Sequence, residues 1–209
     1  MSHPEEAPPR IGRPRSEAAS SHAAIMDAVY ALLQERSVRE LSMEQVAKRA
    51  GVSKPTLYKW WPSKGALILA MFHERMSGRP EAPKATSAED SIRRAVRHLA
   101  GEFNGLFGKV MAELIAEGQA DPASLQELYD SHIKLRRADT IAVIAKGKQS
   151  GEFSDETDPE LLVDAIFGPL YYRLLLRLTP LTRQYGEDLV DQVMQGCRPA
   201  KRARLAAPR

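Results

Sequence analysis

The chain has 209 residues, 43% of them hydrophobic but only 6% aromatic, and a formal net charge of +3. That apolar content can build a packed core, which excludes a globally disordered chain, and the length admits one small domain beside a larger one. The single cysteine, Cys197, excludes an internal disulfide, and the most hydrophobic stretch, Ala165 to Leu178, carries Arg173 and Arg177 and is too short to span a bilayer.

Residues 1–15 are rich in Pro, Gly and Arg and contain no apolar run of the kind a secretory signal needs. They predict a disordered basic arm on a cytoplasmic protein. A helix follows from about Glu17 to Arg36, with Ile25, Val29, Leu32 and Leu33 on one face. Ser42 with Gln45 matches a capping box and opens a short helix that Gly51 stops. Ser53 caps the next short helix, Pro62 ends it, and Ser63 caps a further one running to about Met76.

Residues 77–87, with two prolines among small polar residues, predict a linker between domains at 16–76 and 88–197. Helical periodicity resumes at Ala88 and falters at Gly101, Gly105 and Gly108, where a turn between helices is expected. Asp121-Pro122 and Asp158-Pro159 both place an N-cap before a first-turn proline. They predict one long helix to Ser150, stopped by Gly151, and another to about Arg177. A last helix covers roughly 184–195, and residues 198–209, with the KRAR run at 201–204, form a disordered basic tail. Spacings of three and four dominate the apolar pattern, so the fold class is all-α.

Charge is segregated along this order. Residues 1–80 balance to +4 and residues 81–197 to −6, and the last twelve residues add five basic groups and no acid. A basic front suggests a polyanionic partner there and a different partner for the middle.

The segment SMEQVAKRAGVSKPTLYKWW, residues 42–61, carries the function (the helix-turn-helix segment). Two helices meeting at a tight turn need a small residue at their approach, supplied by Ala47, and a turn residue four positions on, supplied by Gly51. Val46, Ala50, Val52, Leu57 and Trp60 occupy the positions that lock such a pair, leaving the polar residues of the second helix outward. Ser42, Ser53, Thr56 and Tyr58 offer hydroxyls to phosphate oxygens and Lys54 adds charge. Lys59 reaches for phosphate or a guanine edge, and Ser63-Lys64 open a helix where a phosphate can sit. Arg10, Arg13 and Arg15 either enter the adjacent minor groove or belong to a solubilising tail.

Residues 20–70, through AGVSKPTLYKWWPSKGALI, resemble the DNA-binding domain of the tetracycline-repressor (TetR) family. The resemblance implies a three-helix DNA-binding domain at the N-terminus and a larger helical domain that dimerises and holds a small ligand. It also implies that Thr56, Tyr58, Lys59 and Lys64 are DNA contacts. Pro55, where a small residue is usual, and Gly65, where an acid is frequent, depart from the pattern without threatening the fold.

The resulting expectation is a homodimeric repressor, released from operator DNA by a small lipophilic molecule. A transcriptional activator and a ligand-insensitive DNA binder remain as alternatives. Phe103, Phe107, Met111, Tyr129, His132 and Tyr171 are the candidate ligand-lining residues, with Gly108 leaving room beside the cavity. Leu161, Ala165, Leu174 and Leu178 are the candidate dimer face. No metal-ligand spacing, phosphate loop, dinucleotide fingerprint or nucleophile elbow is present, so neither cofactor nor enzyme is expected. Glu113 and Glu117, four apart, read as a solvated helix face.

Overall fold

The computed structural model describes residues 15–77 and 85–198, without the side chains of residues 15–18, 76 and 77. The expected arm with Arg10 and Arg13, most of the expected linker and the expected basic tail lie outside the described residues; Arg15 opens the first helix, its side chain undescribed.

Four helices come first: α1 (Arg15–Glu35), α2 (Met43–Ala50), α3 (Lys54–Trp60) and α4 (Lys64–Ser77). Then follow α5 (Ala88–Phe103), α6 (Leu106–Ala120), α7 (Pro122–Leu128), α8 (Lys134–Gln149), α9 (Pro159–Leu175) and α10 (Arg183–Met194). No strand occurs among the described residues, and no described helix is long and apolar enough to cross a membrane.

Short side-chain caps set most of these boundaries. Ser42 Oγ accepts from the Gln45 N–H at 3.3 Å while Gln45 Oε1 accepts from the Ser42 N–H at 3.0 Å, which satisfies two otherwise orphaned donors of α2. Gly51 ends that helix in the left-handed region at φ 67°, where a β-carbon is strained. Ser53 caps α3, and Asp121 and Asp158 accept from the first N–H groups of α7 and α9. Because Pro122 and Pro159 sit where no amide hydrogen is needed, they stiffen each start without losing a bond.

Around Val29, Leu33, Val46, Leu57, Leu67 and Ile68, all essentially sealed from solvent, the first four helices close on one another. Ile92, Val96, Met111, Ile144, Ile166, Leu170 and Met194 do the same for the later helices. Each such side chain stabilises the fold by about 1.5–3 kcal/mol relative to exposure.

Three features differ from the sequence reading. The turn between α5 and α6 is confined to Asn104 and Gly105, while Gly101 stays in α5 and Gly108 in α6. Gly108 leaves no room beside a cavity: a β-carbon there would stand 2.0 Å from the Phe103 carbonyl oxygen, so the glycine serves a close backbone approach. The helix from Asp121 towards Ser150 is interrupted by a π-turn at Tyr129–Ile133. Finally, α9 stops at Leu175, and Arg177 takes the left-handed region at φ 49° to turn the chain.

Candidate nucleic-acid interface and internal cavity

Helix α3 is held from one side only. Leu57 is fully buried against the head, and Val52 and Ala50 are half-buried on the same cluster, as the spacing requires. Trp60 does not join them. It is 49% exposed, whereas Trp61 is 7% exposed and fills the core. The reason is local: α3 ends at Trp60, and Trp61 takes extended backbone at φ −133°, which turns the next side chain inward. The two indoles stack at 5.8 Å, with His22 of α1 against both.

The outward residues of α3 are not equivalent. Lys54 is paired with Glu44 of α2, which raises the lysine pKa and lowers that of the carboxyl. Ser53 and Thr56 share a 2.8 Å hydroxyl contact, and the Ser42 hydroxyl is engaged in its capping box. Tyr58 and Lys59 are exposed, and Lys59 makes no ion pair among the described residues. The convex face of α3 therefore presents one phenol and one ammonium free to reach an acceptor.

Lys64, expected at a phosphate, is already engaged within the chain. Its ammonium points back into the protein, donating to the Val38 carbonyl at 2.7 Å and lying 3.3 Å from Glu117. A phosphate contact would require it to leave both. It belongs to a polar junction between the first four helices and the rest. Glu113 accepts from the Val38 N–H at 2.6 Å, Glu127 accepts from the Ser63 hydroxyl at 2.8 and 2.9 Å, and Lys109 donates to the Arg36 carbonyl at 3.1 Å. Glu113 and Glu117 are thus half-buried clamps and not a solvated face. Their partners lie far away in sequence, where helical periodicity carries no signal.

A cavity of about 590 Å³ lies among α5, α6, α7, α8 and α9. Leu99, Ile115, Leu125, Ile133, Val163 and Phe167 supply most of its wall, with Arg136, Thr140 and Tyr171 as polar groups and His98, Arg137, Asp139 and Asp164 also bordering it. Arg137 is paired with Glu160 and Asp164. Burial lowers the Arg136 pKa, opposed by the charges of Tyr171, Glu102 and Asp139. Burial raises that of Tyr171, opposed by Arg136.

Of the six expected lining residues, only Tyr171 borders this cavity. Phe103, Phe107 and Met111 are buried core residues: Phe107 meets the Phe72 ring edge-on at 5.1 Å, and Phe103 meets Tyr171 likewise at 5.0 Å. Phe103 also touches a second, shallower hollow beside the α9–α10 connection. His132 packs on Phe107 at 5.6 Å, and burial, with help from Arg136 and His73, pulls its pKa down to about 4. Tyr129 is exposed on the π-turn. The four-residue aromatic spacing read correctly as an inward face, but a core face and a cavity wall carry the same periodicity.

Along the outer face of α9, Leu161 (68% exposed), Ala165, Gly168 and Tyr172 (60% exposed) recur at spacings of four, three and four, and Leu175, Leu176 and Leu178 extend the apolar surface beyond them. Leu174 is half-buried and packs inward on the core, away from this stripe. A β-carbon at Gly168 would meet nothing in this chain.

Comparison with known proteins bears on both regions. Residues 25–71 match the family of bacterial regulatory proteins described as the tetR family, and residues 82–193 match the tetracyclin repressor-like C-terminal domain. The helix-turn-helix-type transcriptional regulator YdeS of Bacillus subtilis is 35% identical over 185 residues, covering 88% of this chain and 92% of that one. The crystal structure of the TetR-family regulator SCO0332 superposes with a TM-score of 0.71 at 29% identity, covering 86% of this chain and all of that one. FadR of Bacillus subtilis, solved with stearoyl-CoA, shares the fold at a TM-score of 0.63 and 19% identity, over 84% of this chain and 98% of that one.

Proposed function

The chain belongs to the tetR family of bacterial regulatory proteins and is a DNA-binding transcriptional regulator, and from that premise we propose that it is a homodimeric repressor released from its operator by a small molecule in the cavity. The observation that carries this reading is α3, which presents Tyr58 and Lys59 outward from a head that is otherwise closed. Lys59 reaches the major-groove edge of a guanine or a phosphate, and Tyr58 and the Ser53–Thr56 hydroxyl pair hold the backbone. Ser42 and Lys54 lie at the edge of this contact, and Arg13 and Arg15 precede it.

A dimer is supported by the α9 stripe, since a face this apolar is covered in a stable soluble assembly. Two copies related by a two-fold axis would pack α9 and α10 against their mates, with Leu161, Ala165 and Leu178 in the seam. The cavity argues against a ligand-insensitive protein, its volume being within the range for drug-sized molecules. Release then follows from a ligand that fits one arrangement of the two heads better than the other. The junction of Glu113, Glu117 and Glu127 is the route, because α6 and α7 also wall the cavity through Ile115 and Leu125. FadR was solved with an acyl-CoA, a precedent for a lipophilic effector on this fold.

The test uses an operator that the wild-type protein selects from genomic fragments. Lys59→Ala and Tyr58→Ala should each weaken the footprint at least about tenfold with circular dichroism unchanged, and Lys59→Ala should lower the salt dependence by about one ion. Folded variants with the wild-type footprint would refute the assignment of α3.

A further inference from the structure

The hollow beside the α9–α10 connection holds about 580 Å³ and lies between the α5–α6 turn and residues 173–181. Much of its lining is apolar side chain or bare backbone, from Phe103, Gly105, Gly108, Leu174, Leu178 and Leu181, and its charged groups are Lys109, Glu113, Arg173 and Arg177. Asn104 ties the two walls together. Its amide N–H donates to the Leu181 carbonyl at 2.8 Å, and its amide oxygen accepts from the Leu181 N–H at 3.0 Å.

Arg177 stands where glycine is usual. The Leu178 N–H donates to the Arg173 carbonyl at 3.1 Å and the Arg177 N–H to the Leu174 carbonyl at 3.2 Å. Helix α9 therefore ends in a Schellman turn with Arg177 at its left-handed position, φ 49°. The other left-handed residues among those described, Gly51 and Gly151, are glycines, which carry no β-carbon to strain. An arginine kept where glycine fits with less strain is explained by its side chain, which borders the hollow.

The positive charge there is unbalanced. Among the described residues Arg177 makes no ion pair, and Arg173 has the Thr179 hydroxyl at 2.8 Å and the Tyr185 ring as partners. Lys109 donates to the Leu33 and Arg36 carbonyls at the end of α1. Glu113, the carboxylate on the lining, accepts from the Val38 N–H at 2.6 Å, and Glu40, which feels the charge of Lys109, is held by Ser37. Three cations thus line one hollow within a stretch, residues 81–197, whose own balance is −6. Low-dielectric walls concentrate such a field, and guanidinium forks match the oxygens of a phosphoryl group.

We propose that this hollow is a second ligand site, separate from the cavity that Tyr171 borders, and that it takes a small organic phosphate. The phosphoryl group pairs with Arg177 and Arg173, Lys109 completes the set, and the organic part lies against Leu174, Leu178 and Leu181. The site stands whether or not the other cavity takes an effector.

The experiment titrates the full chain by calorimetry with phenyl phosphate, with inorganic phosphate and with phenol. Phenyl phosphate is expected to bind at least about tenfold more tightly than either part alone. Arg177→Gln should weaken it at least about tenfold, whereas Arg183→Gln, which removes the same charge just outside the hollow, should leave it unchanged. Arg177→Gly should lose binding to the same extent while raising the urea midpoint, because it relieves the left-handed backbone. Phenol binding as tightly as phenyl phosphate, or no saturable binding of phenyl phosphate at millimolar concentration, overturns the proposal. So does an equal loss in Arg183→Gln, which would mean diffuse attraction to a basic surface. A glycine variant that loses stability together with binding overturns it as well, since the guanidinium would then be holding the fold.

Discussion

The head and the larger domain solve opposite problems with the same material. In the head, α1 to α4 close completely over Leu33, Leu57, Leu67 and Ile68, and the chemistry is displayed outside, on α3. In the larger domain the helices leave about 590 Å³ between them and place polar groups beside that space. A surface that reads a rigid polymer must be held still. A chamber that takes a small molecule must yield a little, and π-turns and unfilled space are what an α-helical domain offers for that.

The contrast can be broken most forcefully at two glycines of the larger domain. Gly108→Ala should cost about 3 kcal/mol in urea unfolding, because the new β-carbon meets backbone that cannot step aside. Gly101→Ala, with nothing within 4 Å, should instead be neutral or gain up to about 1 kcal/mol. Equal effects would mean that the α5–α6 approach is loose, and that this domain is no more rigid there than at its chamber.

A smaller effect should appear on acidification. Unfolded, His132 takes up its proton near pH 6.5; folded, it resists until about pH 4. Stability is therefore intact above pH 6.5 and declines as the pH falls through that window, by on the order of 3 kcal/mol. His132→Phe should flatten this part of the profile. Monitoring tryptophan fluorescence separates the regions, since both indoles, Trp60 and Trp61, lie in the head. An acid loss that His132→Phe leaves unchanged would assign it elsewhere.

The smallest expected effect sits at the joint between the two. Lys64→Met removes the bonds to Val38 and Glu117 and should cost about 1–2 kcal/mol. It should leave the salt dependence of DNA binding unchanged, in contrast to Lys59→Ala. A reduced salt slope for Lys64→Met would restore the phosphate contact that the resemblance implies for this residue.

What could be read from the sequence was what nearest neighbours decide. Ser42 with Gln45, Gly51, Asp121-Pro122 and Asp158-Pro159 act within a few residues, and the helices begin and end where these signals stand. The exchange of roles between Trp60 and Trp61 escaped because the helical period puts Trp60, the last residue of α3, on the inner face, whereas the extended backbone at Trp61 turns that next side chain inward instead. The π-turn escaped because no residue type marks it. Glu113, Glu127 and Lys64 find partners across separations of 75, 64 and 26 positions, where periodicity says nothing. Arg136 was hidden for a related reason: an arginine on a helix is ordinarily solvated, and only the convergence of several helices encloses this one.

Helix α9 has two clients. Val163, Phe167 and Tyr171 turn towards the chamber, and Leu161, Ala165 and Tyr172 turn away from it. Gly168 belongs to both sets, bordering the cavity while facing open space with no side chain of its own. In the proposed dimer only the thickness of a main chain separates the occupant of the chamber from the second copy at that point. The wall of the binding site and the wall of the assembly are then one object, and a ligand that shifts it addresses both subunits at once.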